Sequence, residues 1–242
     1  MKISLLHPTR KRVEKSRQAT ERWLSNAVSP VELIVSIDSN DPFILEYQRI
    51  YSGRPNVKLI VNENRSAVDA INNAAKAATG DLFIVVSDDT DCPRKWDQII
   101  FSAVEGKSDF VLKVWDGQQP WIITMPVMDR TYYNRFGYVY YHEFKHMFCD
   151  TYLTHVADAL KRIIWRNDIV FEHLHYSNSK ARTKKDEINE VADATFEHGK
   201  HIYSRLVREN LRLPATINIC NLSEHAASHE VWLRKAGLWN VR

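Results

Sequence analysis

The chain has 242 residues, enough for one large domain or for one domain with an appendage, and its 33 basic against 30 acidic residues leave a net charge of +3. That balance, with 26% charged residues, lends little support to a polyanion-binding or membrane-surface protein. Seven glycines without a GxGxxG or GxxxxGK[ST] string argue against glycine-cradled dinucleotide and P-loop sites, and three cysteines without a CxxC pair argue against a zinc knuckle or a disulfide framework.

The N-terminal apolar run stops at His7-Pro8, too short for a secretory signal, and no later stretch approaches the ~20 apolar residues of a membrane span. The expectation is a soluble, cytoplasmic protein. Residues 1–100 alternate short apolar runs with helix-like stretches, the pattern of parallel strands joined by crossover helices. Strands are predicted over 3–7, 32–38, 58–62 and 81–89, and helices over 13–27, 42–51 and 66–78, the last stopped by Thr79-Gly80. Beyond residue 100 the pattern predicts strands at 109–115 and 121–129, forming a hairpin around Asp116-Gly117. An aromatic stretch over 132–141, a helix over 150–163 and a late strand over 168–175 follow. Residues 183–212, charged and mixed in sign, predict one or two helices broken near Gly199.

Polar clusters follow each of the first four strands directly: His7-Pro8-Thr9-Arg10, Asp38-Ser39-Asn40-Asp41, Asn62-Glu63-Asn64-Arg65 and Ser87-Asp88-Asp89-Thr90-Asp91. Parallel strands bring all four to one edge, where open α/β sheets bind ligands. The aspartates of the fourth cluster suit a hard divalent cation, Mg²⁺ or Mn²⁺, which takes carboxylate oxygens and shares the rest of its shell with water and phosphate. The other reading of that cluster is a solvated turn before Pro93.

HPTRKR (7–12), SIDSND (36–41) and NENRSAVDAINNAAKAATGDLFIVVSDDTDCP (62–93) together resemble the GT-A glycosyltransferases of the family-2-like group. Pro8, Thr9, Asp38, Ala70, Asn72, Thr79, Gly80 and Pro93 fall in place, whereas Ser87 stands where the group's metal motif begins with aspartate. The resemblance implies an α/β fold of GT-A type over 1–180 with a helical C-terminal extension over 181–242. It implies a nucleotide-diphosphate sugar as donor, UDP-linked in preference, and Mn²⁺ or Mg²⁺ as cofactor. Asp89 carries the metal role, with Asp88 as a weaker second. Pro8, Thr9, Arg10, Arg12, Asp38, Arg65, Asn72 and Asp88 line the donor site. Asp38 would read the base; its other reading is an Asx turn or cap before Pro42.

Glu172-His173-Leu174-His175 closes an apolar run, and two-residue alternation puts both histidines on one face. The resemblance gives one of them, His173 or His175, to the metal or diphosphate. The resemblance also implies Asp150 as the general base, with Glu143 as fallback, although Asp150 equally suits a helix N-cap. His142-Glu143-Phe144-Lys145-His146 has HExxH spacing, but no third ligand pattern follows and a metalloprotease is set aside. Trp115, Trp121 and the aromatics of 132–141 form either an acceptor platform or core.

The acceptor expected is a hydroxyl on a glycan, a small molecule or a modified base in nucleic acid. The basic run Lys180, Arg182, Lys184, Lys185 keeps the last option open, diluted by Asp186, Glu187 and Glu190. Oligomeric state is not legible. The alternatives are a sugar-phosphate nucleotidyltransferase, which would carry a glycine-rich first loop, and a non-catalytic GT-A-fold binding module, which Ser87 would suit. Residues 10–22 hold six basic and two acidic residues, so the mild positive excess is concentrated just after strand one.

Overall fold

Alternating apolar residues send Leu5, Leu33 and Val35 to one face of a sheet and Leu6 and Ile34 to the other, so both faces must be covered. The structure, a computed structural model, describes residues 1–176, 184–217 and 219. In chain order the elements are β1 (Ile3–Pro8), α1 (Val13–Asn26), β2 (Glu32–Asp38), α2 (Ile44–Tyr51), β3 (Val57–Asn62), α3 (Ala67–Ala77), β4 (Leu82–Val85) and α4 (Trp96–Val104). There follow β5 (Val111–Trp115), β6 (Val127–Asp129), α5 (Arg130–Phe136), α6 (Cys149–Ala159), β7 (Ile163–Val170), α7 (Glu187–Asp193) and α8 (Phe196–Arg208).

The seven strands lie in the order β3-β2-β1-β4-β6-β5-β7, and only β6 runs against the rest. The carboxyl ends of β1, β2, β4, β5 and β7 therefore share one edge. Trp23, Tyr47, Tyr51 and Trp96 from α1, α2 and α4 fill the core on one face. Residues of α3, α5, α6 and α8 fill it on the other, so the C-terminal helix α8 shares a continuous core with α6. Trp23 meets Trp96 and Phe171 edge-on at 5.1 Å, pairs worth about 0.5–1.5 kcal/mol each beyond their area. These rings fix the chain just before His173.

The first three strands and helices match their predicted spans to within two residues, and Ser66 caps α3 by accepting from the Asp69 amide. β4, however, ends at Val85, because Ser87 to Thr90 close a turn in which Thr90 Oγ1 donates to the Ser87 carbonyl at 3.0 Å. The predicted hairpin after Trp115 is an eleven-residue loop, with β6 reduced to three residues and inserted between β4 and β5. Pro120 and Pro126 lack ladder donors, and Asp116 takes the Gln118 and Gln119 amides at 2.9 and 2.7 Å. The late strand begins five residues earlier than predicted and ends before the histidines. Its register slips from Val114↔Arg166 to Trp115↔Val170, and the following chain leaves β5 for the turn after β4.

α4 and α5 were not legible as helices. α5 is capped by Asp129 and stopped by Gly137 at φ 72°. Tyr132, Tyr133, Tyr140 and Tyr141 are buried, so this part of the aromatic stretch is core, not acceptor platform.

The break expected near Gly199 lies instead at residues 194–195, and Gly199 sits inside α8. The reason is proximity: a Cβ there would lie 2.3 Å from the Met147 carbonyl oxygen. Helix propensity alone makes Gly199→Ala stabilising by about 1 kcal/mol. The contact reverses the sign, so a loss of about 1–3 kcal/mol is expected in thermal or denaturant unfolding. A raised melting midpoint would show that α8 does not approach this closely.

Candidate functional site

Across the carboxyl edge, the ends of β1 and β2 come first. Thr9 is buried, its amide donating to the Ser36 carbonyl at 3.1 Å and its hydroxyl 3.2 Å from the Tyr47 phenol. Pro8 ends β1 beside it. Asp38 closes β2, with one oxygen paired to the Arg10 guanidinium and the other accepting from Asn64 Nδ2 at 2.8 Å. Arg10 also donates to Asn40 at 2.8 Å. A carboxylate and a guanidinium thus sit side by side, an acceptor next to a donor.

Next comes the turn after β4. His7 is wholly buried; its Nδ1 donates to the Val86 carbonyl at 3.0 Å, and its Nε2 lies 2.9 Å from Ser16 Oγ and 3.3 Å from Asp88 Oδ1. Asp88 Oδ2 is 3.9 Å from Arg12 Nη1. Asp88 Oδ1 is buried and accepts no hydrogen bond. Asp89 accepts from Ser87 Oγ at 2.6 Å, so the serine that departs from the family motif orients the aspartate that remains.

The chain beyond β7 lies between this turn and the end of β5: the Leu174 amide donates to the Asp89 carbonyl at 2.7 Å and the Asp91 amide to that of Glu172 at 2.8 Å, while the His173 amide donates to the Asp116 carbonyl at 2.9 Å. This pairing sets His173 Nε2 3.3 Å from Asp89 Oδ1. Burial acts to raise the Asp89 carboxyl, but the His173 hydrogen bond and charge, with the Ser87 bond, hold it well below the usual range. Burial likewise acts against the charged His173 ring, and Asp89, Asp116 and Asp150 outweigh it, so its pKa is raised. His175 lies two residues further on, its ring 5.3 Å from that of His173, and its pKa is lowered by burial and by that neighbour. Of the two candidates, His173 is the one set against Asp89.

Asp150 stands second in α6, after a helix start at Phe148 in the left-handed region (φ 71°), and is therefore not the N-cap. It accepts from the Thr151 amide at 2.7 Å. Burial pushes its pKa up and the charge of Asp116 adds to that. Behind them Lys113 is fully buried on β5, pushed down to about 8 by burial against the pull of Asp116.

Three predicted residues have other work. Asn72 spends its amide inside the protein, donating to the Tyr140 carbonyl at 2.7 Å and accepting from the Val139 and Tyr140 amides. Arg65 is exposed and pairs with Asp69 one turn along α3 at 2.7 Å. Glu143 accepts from Tyr141 at 2.8 Å and pairs with Arg205 of α8, bonds that outweigh burial and keep its pKa low, the reverse of a poised base. Residues 142–146 are not helical, so the HExxH string does not present two histidines on one face. Lys180 and Arg182 lie outside the described residues. In the sequence Asp116 carries only a turn signal, beside Gly117, and the one signal for His7 is its place at the end of an apolar strand.

No group of three or more His, Cys, Asp or Glu side chains among the described residues is arranged to hold a metal ion without help. Two ligands are nonetheless what a cation shared with a diphosphate needs. The 3.3 Å between Asp89 Oδ1 and His173 Nε2 is close to the ~3 Å between neighbouring ligands expected from ~2.1 Å bonds. Carboxylate and imidazole donors, with Asp88 Oδ1 alongside accepting no hydrogen bond, fit Mn²⁺ or Mg²⁺ bound together with substrate phosphates.

A seven-stranded mixed sheet, covered on both faces and carrying these groups on its carboxyl edge, is the GT-A glycosyltransferase fold. The chain belongs to glycosyl transferase family 2, whose pattern matches residues 4–168. Among solved structures it is similar to S. aureus TarS 1-349 in complex with UDP-GlcNAc, at 16% identity and TM-score 0.68, over 97% of this chain and 71% of that one. It is also similar to the mannosyltransferase PcManGT from Pyrobaculum calidifontis in complex with GDP-Man and Mn²⁺, at 14% identity and TM-score 0.64, over 98% and 76%. No curated protein matches it in sequence. No helix among the described residues is long and apolar enough to cross a membrane.

Proposed function

We propose that the chain transfers a glycosyl group from a nucleoside-diphosphate sugar, UDP-linked in preference, to a hydroxyl acceptor. The observation that carries this reading is the pairing of the turn after β4 with residues 172–174, which sets Asp89 against His173. Asp38, flanked by Arg10 and Asn64, accepts from a base N–H, and Pro8 and Thr9 form the floor beside it. Arg12 takes the diphosphate. Asp89 and His173 hold the divalent ion, with Asp88 next to them; when bound, that ion supplies Lewis-acid neutralisation of the departing diphosphate. Asp150 receives the acceptor hydroxyl's proton on a carboxylate oxygen.

In this reading residues 1–180 are the catalytic unit and 181–242 its helical extension. The acceptor class is a glycan, a small molecule or a hydroxylated base in nucleic acid, and the sugar moved is a hexose or a pentose. The free thiols Cys92 and Cys149 suit a cytoplasmic setting. Calorimetry with UDP and with GDP, each with Mn²⁺ and with EDTA, tests the assignment. Metal-dependent binding of one nucleotide is expected, and absence of binding by both refutes the reading.

A further inference from the structure

Arg12 immediately precedes α1, and its guanidinium is already filled by an anion belonging to the chain itself. Nε donates to Asp186 Oδ2 at 3.1 Å and Nη2 to Asp186 Oδ1 at 2.5 Å, while Lys15 Nζ adds a third donor at 2.8 Å. A guanidinium fork with a lysine beside it is how proteins grip a phosphate, and here the gripped group is a carboxylate. Lys11 makes the same kind of contact with the next residue, Glu187, at 2.8 Å. Asp186 is held in position by a reciprocal cap at the start of α7: it accepts from the Asn189 amide at 3.2 Å, and its own amide donates to Asn189 Oδ1 at 3.0 Å.

The remaining arm of Arg12 points toward the turn after β4, where Nη1 lies 3.9 Å from Asp88 Oδ2. Between clamp and turn is a cavity of about 240 Å³, lined by Arg12, Lys15, Asp88, Asp89, Tyr176 and Asn189 among others. Small-molecule sites generally run from about 300 to 1,000 Å³. With α7 in place, the space beside Asp88 and Asp89 lies below that range.

We infer that Asp186 is an internal counter-anion: in the ligand-free chain its carboxylate fills the Arg12–Lys15 subsite that the donor's diphosphate takes on binding. The inference rests on the donor reading above and adds the regulation of that site. Donor binding and release of the α7 start are then one exchange of anions. A diphosphate, carrying more charge than one carboxylate, wins that exchange, whereas a singly charged anion does not.

Asp186→Asn separates the counter-anion from the cap. Asparagine caps a helix as well as aspartate does but carries no charge for Arg12 and Lys15. Isothermal calorimetry with Mn²⁺ should show UDP or GDP bound on the order of tenfold more tightly by Asp186→Asn than by the natural chain. Inorganic pyrophosphate should show a gain of the same sign. Asp186→Ser, another good cap without the carboxylate, should repeat it. Arg12→Gln should weaken nucleotide binding, and adding Asp186→Asn to it should restore nothing, because the two act on one subsite. Affinity equal to or weaker than that of the natural chain in both Asp186 variants overturns the inference and leaves the donor reading standing. Absence of nucleotide binding by the natural chain and by every variant overturns both.

Discussion

Asp89→Asn is expected to cut Mn²⁺-dependent binding of the nucleotide and Mn²⁺-dependent donor hydrolysis by roughly 10²–10³-fold, the usual effect of removing one preorganised electrostatic contact from a reacting centre. The substitution is nearly isosteric. Its remaining carbonyl oxygen still accepts from Ser87 Oγ, now 2.6 Å from Asp89, so the turn keeps its shape. What is lost is a half-buried negative charge 3.3 Å from His173 Nε2, and with it one of the two side chains proposed to hold a divalent ion.

The sign of the stability effect follows from the depressed pKa of Asp89, which burial opposes and the His173 bond and charge enforce. A carboxyl depressed on folding contributes stability above its unfolded value of 3.8, and that contribution is lost as pH falls through the lower folded value. At neutral pH the asparagine variant should therefore melt somewhat lower than the natural chain, while the two converge in strong acid. Unaltered metal-dependent binding in a folded Asp89→Asn protein would remove this residue from the metal site.

The first half of the fold was legible because its signals are local. Ile, Val and Leu runs define β1 to β3, Ser66 marks the start of α3, and parallel strands must deliver Asp38 and the Ser87–Asp91 turn to one edge. The second half depends on partners distant in sequence. β6 is three residues long and takes its place between β4 and β5 through pairing, not propensity. Asn72 and Tyr140 are 68 residues apart, and Glu143 and Arg205 are 62 apart. Nothing near Asn72 or Glu143 in the chain shows that their polar groups are already spoken for. The choice between His173 and His175 required the backbone pairing of residues 172–174 with the turn after β4, a contact between segments some eighty residues apart. Asp186 looked like dilution of a basic run; in space it is the partner of Arg12 and Lys15.

Asp150→Asn is the second large effect expected, because activity and stability should move in opposite directions. In the proposed role of proton acceptor Asp150 would contribute the roughly 10²–10⁴-fold typical of general base catalysis, and transfer to a hydroxyl acceptor should fall by that order. Its pKa is raised, first by burial and then by the charge of Asp116. A carboxyl whose pKa rises on folding binds its proton more tightly in the folded state, so its ionisation costs stability. That cost is absent below the unfolded value of 3.8, grows as pH rises through the interval up to the folded value, and is complete above it. Asparagine cannot ionise and still accepts from the Thr151 amide, so at pH 7 the variant should melt at or above the natural chain. In the natural chain the rate should climb with pH through the raised pKa, and the variant should lose that limb. Donor hydrolysis, which needs no acceptor proton to be removed, should suffer less than transfer. A variant that melts lower and loses hydrolysis and transfer alike would make Asp150 a structural residue of α6 and move the base elsewhere on this edge, with Asp116, whose charge acts on Asp150, the next carboxylate to test.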